Sequence, residues 1–360
     1  MAETGVKYRQ IFETLQRELA EGKYGPGRPF PSEAQLVRRF GVSRFTAVQA
    51  VNGLVKAGLV VRRKGKGSFP TRYARVSAGP IGLILPGLAY GEIYAPICSE
   101  ITRLCQQRGR TVLLGNTDAE TAAARAAASK RLAQDFVRQR VSGVIMQPIE
   151  YLKDNEGANR EIIAIFEQAS VPVVLIDYDI VPPPQRSEYD LVGIDNFAAG
   201  RRLGDHLVDR GAKNVLFLKR ANCAPTIENR LLGVAAALAS AGRRWTNANV
   251  LVGEPDDGAR LLRRLRQRPR SDALVCGYDV HAAHALKVLE RAGLSKKLRL
   301  AAFDDVRCAS VMSPALTTVR QPCVDIAKEA VETLMRRLAH PDDPVRTVLL
   351  DAPLVIREST

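Results

Sequence analysis

The sequence predicts an α/β protein in which a small amino-terminal unit of three helices and a β-hairpin precedes two lobes of doubly wound parallel sheet. Three observations predict it. Charge is concentrated: residues 1–72 hold 14 Lys/Arg against 5 Asp/Glu, within a 360-residue chain of net charge +15. Serine and glycine punctuate that first stretch at the spacing of helix starts and stops. Beyond residue 80, ten short apolar runs alternate with helical stretches, the pattern of strands covered on both faces. Residues 73–79 read as a short polar link, so the expected boundaries are 1–72, 73–79 and 80–360. With 46% hydrophobic and 25% charged residues, the chain can bury more than one core.

In the amino-terminal unit, Tyr8, Ile11, Phe12, Leu15 and Leu19 recur at helical spacing, and Gly22 with the following GPGRP ends that stripe. In PSEAQLVRRFG, Ser32 and Gln35 have capping-box spacing and Gly41 sits where a left-handed residue ends a helix, giving a second helix over about residues 32–40. Ser43 caps a third, SRFTAVQAVNGLVKAG, whose Ala47, Ala50, Val51 and Leu54 face inward while Arg44, Phe45, Val48, Gln49 and Asn52 lie elsewhere. Two short helices joined by a tight turn make a helix-turn-helix. GLVVRRKGKGSF then reads as a hairpin with a glycine-flanked basic tip, a wing. Its GKGS lacks the spacing of a phosphate-binding loop and has no helix behind it. So basic a unit favours a polyanion, with counterion release making binding salt-dependent.

The stretch PSEAQLVRRFGVSRFTAVQAVNGLVKAGLVVRRKGKGSF resembles the winged helix-turn-helix of GntR-type bacterial transcription regulators across nearly the whole unit. The resemblance implies that Ser43 and Arg44 at the start of the recognition helix, and Gly65 in the wing, contact a double-stranded DNA operator. Ala34 and Val48 stand where the family often has basic residues, and Arg38, Arg39, Arg62, Arg63, Lys64 and Lys66 are placed to restore the charge. Ser32, Phe45, Thr46 and Gln49 complete the expected DNA-facing set.

In the large unit, the runs IGLIL, TVLLG, GVIMQP, VPVVLID, LVGID, NVLFLK, NVLV, DALVCG, LRLAAFDD and LTTV are the expected strands. No G-x-G-x-x-G follows the first strand and no G-x-S-x-G elbow occurs, so no reaction centre is expected. Among the four histidines, His281 and His284 lie three apart on a predicted helix and read as a solvated face rather than a metal pair. Asp304-Asp305 and Asp256-Asp257 read as caps or ligand acceptors. The six cysteines form no C-x-x-C pair and read as reduced small hydrophobes. No apolar leader and no run of about 20 apolar residues is present, which points to the cytoplasm and away from membranes.

VGIDNFAAGRRLGDHLVDRGAKNVLFL, ENRLLGVAAALASAG, DALVCGYDVHAAHALKVLERAG and LRLAAFDDVRCASVMSPALTTVRQP resemble the effector domain of lac/galactose-repressor regulators, which shares the periplasmic-binding-protein-like fold. The resemblance places a small molecule between the lobes, at the carboxyl ends of the strands. By it, Arg230 donates to hydroxyls, Asp177 and Asp304 accept from them, Gln147 and Gln321 complete the polar lining, and Tyr94 stacks on a sugar face. In the CGYD segment Tyr278 replaces the family's usual Asn, and by the resemblance Tyr278 and Asp279 both join the effector-binding set. Both motif sets together are similar to arabinose-repressor-like regulators. The function implied is a homodimeric repressor released by a monosaccharide, without cofactor or metal; an activator, a corepressor-dependent regulator with a non-sugar effector, and a sugar-binding protein or enzyme on the same scaffold remain as alternatives.

Overall fold

A computed structural model of the chain describes residues 2–20, 23–24, 29–56, 59–63, 65–70, 79–85, 92–115, 117, 119–182, 184–254, 257–267 and 271–360. Lys64, Asp256 and all of the expected link except Gly79 lie outside the described residues. The first helix, α1, spans Ala2–Ala20. At the start of α2 (Glu33–Phe40) the Ser32 Oγ accepts from the Gln35 N–H at 3.3 Å and the Gln35 Oε1 accepts from the Ser32 N–H at 2.8 Å, so two otherwise unpaired amides satisfy each other. Gly41, at φ 61°, ends α2 in the left-handed region open to glycine. The Ser43 Oγ accepts from the Thr46 N–H at 3.2 Å and opens α3 (Arg44–Lys56).

Leu15, Leu19, Leu36, Ala47, Ala50, Val51, Leu54 and Leu59 close a small core among these helices. Fully burying each leucine is worth about 1.5–3 kcal/mol, which fixes the angle between α2 and α3. β1 (Val60–Arg63) pairs antiparallel with β2 (Gly67–Pro70), Arg63 opposite Gly67, and Gly65 and Gly67 take φ 74° and 98° at the tip. Those angles strain any residue with a Cβ, so the tip is a glycine position on both sides.

The first lobe is built on β3 (Ile81–Ile84), β4 (Val112–Leu114), β5 (Gly143–Met146), β6 (Val173–Ile176) and β7 (Asp190–Ile194), with α4 (Tyr94–Gln107), α5 (Ala122–Arg138) and α6 (Asn155–Gln168) between them. After α7 (Asn196–Asp209) the second lobe runs through β8 (Val215–Lys219), α8 (Pro225–Ser240), β9 (Val250–Val252), α9 (Gly258–Gln267), β10 (Ala273–Cys276), α10 (Asp279–Arg291), β11 (Arg299–Asp304), α11 (Arg307–Val311) and β12 (Thr317–Arg320). All ten expected strands are present. β3, β5, β6 and β10 are buried at every position, as parallel strands between helical layers must be.

The chain then recrosses. α12 (Cys323–Ala339) follows a second-lobe strand but packs on α4 and on β5, β6 and β7 of the first lobe. Buried Asp190 at the start of β7 holds it there, accepting from Arg336 at 3.0 Å and Arg337 at 2.8 Å. Two further strands were missed in the sequence: β13 (Thr347–Leu350) joins the first sheet, and β14 (Leu354–Val355) returns to the second. The sheets are therefore ordered β13-β7-β6-β5-β3-β4 and β14-β12-β11-β10-β8-β9, parallel throughout except for β14. Three connections join the lobes, near Asp195, Gln321 and Asp351, and the carboxyl ends of both sheets face the cleft between them.

Candidate functional site

Two surfaces hold the expected residues. On the amino-terminal unit, Ser43, Arg44, Phe45 and Gln49 are exposed along one side of α3, with Phe45 65% exposed. Arg38 on α2 is exposed as well, and neither Arg38 nor Arg44 forms an ion pair among the described residues. Unpaired guanidiniums beside a helix start, where amides and the helix dipole are positive, suit phosphate and base edges. On the wing, Arg62 reaches Glu33 at 3.0 Å and Arg63 lies 5.2 Å over the Phe69 ring, while Gly65 and Lys66 are exposed at the tip.

Between the lobes lies a cavity of about 530 Å³. Tyr94, Gln147, Glu150 and Tyr151 line it from the first lobe; Arg220, Tyr278, His281, His284 and Asp304 line it from the second. Asp304 ends β11 at φ 116° and Asp177 follows β6 at φ 73°, so both carboxylates stand on left-handed backbone at strand ends. Arg230 is 1% exposed. Its Nε donates to Asn196 Oδ1 at 2.8 Å and its Nη1 to the Gly277 carbonyl at 2.8 Å and Asp304 Oδ1 at 3.3 Å, while Phe303 packs 4.8 Å from the guanidinium. Gly200 and Gly233 bring α7 and α8 together behind it; a Cβ at Gly200 would meet the Arg230 carbonyl.

The lobes also touch across the cleft. Glu150 Oε2 accepts from the Ala224 N–H at 2.8 Å and the Tyr278 hydroxyl at 3.2 Å, and Arg220 lies 4.3 Å over the Tyr151 ring. The Tyr151 N–H donates to the Asn222 carbonyl at 2.8 Å. Burial pushes Glu150 up to about 7 and Asp304 up to about 6, the latter against the pull of Arg230; burial raises Asp177 too. His281 is pushed down to about 4 by burial and by Arg220 and His284, so its imidazole is neutral.

Two family models match the chain: "Bacterial regulatory proteins, gntR family" over residues 7–69 and "Periplasmic binding protein-like domain" over residues 204–360. Among curated relatives, the HTH-type transcriptional repressor PurR of Mannheimia succiniciproducens is 27% identical over 271 residues, 74% of this chain and 77% of the relative. The arabinose metabolism transcriptional repressor of Geobacillus stearothermophilus is 24% identical over 98% of this chain and 97% of its own length. The chain is a DNA-binding transcription regulator. In the crystal structure of the transcription regulator GntR from Chromobacterium violaceum, 98% of that chain superposes on 78% of the regulator with a TM-score of 0.63 and 25% identity.

The regulator's structure sorts the expected residues. Tyr94, Gln147, Tyr278 and Asp304 line the cavity; Arg230, Asp177 and Gln321 stand directly behind, Asp177 accepting from Gln147 at 3.2 Å and Gln321 donating to Asp304 at 3.3 Å. Asp279 is a correction. Its oxygens accept from the Val306 N–H at 2.9 Å and the Thr318 hydroxyl at 2.6 Å, and at 0% exposure it ties α10 to β12 instead of facing a ligand. His281 also departs from its expected solvated face, for it lines the cavity and its ring meets Tyr278 edge-on at 5.0 Å.

Of the residues expected to face DNA, two turn inward. Arg39 donates to Glu18 at 2.7 Å and to the Tyr24 hydroxyl at 2.9 Å, so its fork braces α2 against α1. Thr46 is 3% exposed with its hydroxyl 2.9 Å from that of Ser43, which makes it part of the helix start. Ser32 has its hydroxyl in the capping box. Sequence reasoning missed Glu150, Tyr151 and Arg220 altogether. Glu150 had a signal, since it follows directly on GVIMQPI at the carboxyl end of a parallel strand; Arg220 carried none.

Proposed function

We propose that the regulator is a homodimeric repressor, gripping a roughly palindromic operator with paired heads and releasing it when a monosaccharide fills the cavity between its lobes. Residues 1–72 act as the head and 80–360 as the sensing and dimerising body, and the protein works in the cytoplasm, where its operator lies. One observation carries this reading: a cavity of about 530 Å³, walled by both lobes, in which Asp304, Gln147 and Glu150 present fixed donors and acceptors, Asp304 held from behind by Arg230. Such groups recognise a polyol stereospecifically, because each buried partner left unpaired costs about 1–3 kcal/mol. The name of the arabinose metabolism repressor supports both the repressor role and a sugar effector.

The mechanism is a population shift. Sugar contacts from both walls favour closed lobes, closure turns the body about its three connections, and the two heads cease to match their half-sites. Arg44 and Gln49 on α3 read the major groove, while Lys64 and Lys66 on the wing neutralise phosphate. Nothing in this scheme needs a catalytic centre or a metal. The test is retardation of DNA from upstream of the regulator's own gene at about 0.1 M salt, with and without a panel of pentoses and hexoses. Retardation relieved by one sugar supports the reading; binding tightened by a sugar makes that sugar a corepressor, and no retardation overturns it.

A further inference from the structure

The cavity has an excess of acceptors. Glu150 and Asp304 line it and Asp177 stands just behind Gln147; among the described residues the one guanidinium bonded to any of the three is Arg230, on Asp304, and the hydroxyl and amide donors beside them are already committed. The Tyr278 hydroxyl donates to Glu150, the Tyr151 hydroxyl to Tyr278 at 3.3 Å, and the Gln147 amide to the Tyr94 hydroxyl and Asp177. Arg220 at the mouth is held by Glu254 at 2.8 Å. Among the described residues two buried atoms on lining side chains have no partner: Gln147, 2% exposed, leaves Oε1 without a donor, and His281 leaves Nδ1 unpaired. In a chain of net charge +15 the cavity is a local inversion of sign.

We propose that this cavity takes a cationic ligand, a monosaccharide carrying a free amino group, with the ammonium seated between Glu150 and Asp304 and a neighbouring hydroxyl donating to Gln147 Oε1. An ammonium supplies three donors and a positive charge to a site short of both. A sugar phosphate or sugar acid would add negative charge beside three carboxylates, and a neutral sugar would leave their charge uncompensated away from water. The raised positions of Glu150 and Asp304 agree, since burial without enough positive charge is what raises them.

This inference rests on the reading of the cavity as a sugar site, and the experiment separates the two. The full chain is titrated calorimetrically with D-glucosamine and D-galactosamine, their N-acetyl forms, D-glucose, D-galactose and L-arabinose, D-glucosamine 6-phosphate, and the non-sugar cations putrescine and spermidine. An amino sugar should bind at least about tenfold more tightly than its N-acetyl form, and Glu150→Gln should erase most of that ratio. Gln at position 150 keeps an acceptor for the Ala224 N–H, so the fold is retained; a cooperative thermal transition of the variant checks this. Preference for a neutral or phosphorylated sugar overturns the cationic ligand and leaves the sugar reading standing. Binding of putrescine or spermidine with no response to any sugar does the reverse. An amino-sugar preference untouched by Glu150→Gln and by Asp304→Asn overturns the seating.

Discussion

Glu18 in the head and Glu150 in the cavity are both carboxylates enclosed with tyrosines, yet the protein treats them oppositely. Glu18 receives Arg39, Lys23 and the Tyr24 hydroxyl, and the Arg39 bond above all holds it down at about 2 despite its burial. Glu150 receives one amide and one phenol, no cation, and burial carries it up to about 7. The head has completed its polar pairs internally, as a rigid reader of DNA must. The cavity has left its pairs open, and an open pair is what a ligand closes. Arg39 and Arg230 repeat the contrast: the first is fully engaged in bracing two helices, while the second, bonded to Asp304, leaves Glu150 without a cation among the described residues.

The largest expected effect comes from breaking the cavity frame. Arg230→Ala strands Asp304, Asn196 and the Gly277 carbonyl, and removing one partner of a buried pair costs about 3–5 kcal/mol. Urea unfolding of the full chain should show that loss in the body, with effector response gone. Next comes the head: Glu18→Gln leaves the Arg39 fork short of its charge partner and should destabilise the head by about 1–3 kcal/mol, read by hydrogen exchange of α1 and α2 amides. Glu150→Gln, by contrast, should cost under about 1 kcal/mol or stabilise, since it removes an uncompensated charge.

The two acids also predict opposite pH dependences. Glu18 titrates at about 2 folded against an ordinary 4.5, so the unfolded chain binds the extra proton between these values and its contribution is lost as pH falls through them. Glu150 and Asp304 are raised to about 7 and 6, so the folded chain holds the extra protons and stability falls as pH rises from about 4 toward 7. The groups facing Glu150 are Asp177, Tyr94, Tyr151 and Tyr178 from the first lobe and Tyr278 and Cys223 from the second, of which Asp177 adds to the rise. Thermal melting of the ligand-free body between pH 5 and 7 should lose stability with rising pH, and Glu150→Gln should flatten the slope. A rise over that interval would break the contrast.

The remaining effects are on binding, not stability, and concern the residues proposed to meet DNA. Arg44→Ala should weaken operator binding by about 1–3 kcal/mol and relax choice at one base pair. Neutralising Lys64 and Lys66 should lower affinity on all sequences and flatten the salt slope by about one unit per lost phosphate contact. Altered operator choice from the lysine changes would mean that the wing reads bases.

What was legible in the sequence is what short-range physics decides. The Ser32–Gln35 box, the Ser43 cap, the glycine wing tip and ten strands of the lobes are each specified within a few residues. What was hidden depends on partners far along the chain. Arg39 looks like a basic residue for DNA until α1 brings Glu18 against it, and Thr46 looks exposed until the Ser43 hydroxyl takes its own. Asp279 seemed to belong with Tyr278, but the turn into α10 sends its carboxylate to Val306 and Thr318. β14 escaped because it has only two residues; β13 is as long as β3 and was missed because it lies beyond the crossing helix α12, where the strand–helix alternation has ended. The Arg220–Tyr151 stack and the Glu150–Ala224 bond exist only because two lobes meet, which no local pattern records.

The central claim is that the cavity's uncompensated carboxylate couples a cationic sugar to release of DNA by a head that does not itself change. The direct measurement is fluorescence anisotropy of labelled DNA from upstream of the regulator's own gene, bound by the wild-type chain and by Glu150→Gln and titrated with the amino sugar that binds best. Equal ligand-free affinity is expected for the two proteins, with release of the variant needing at least about tenfold more sugar. Release of both at the same concentration, or a variant that no longer binds the DNA without ligand, would contradict it.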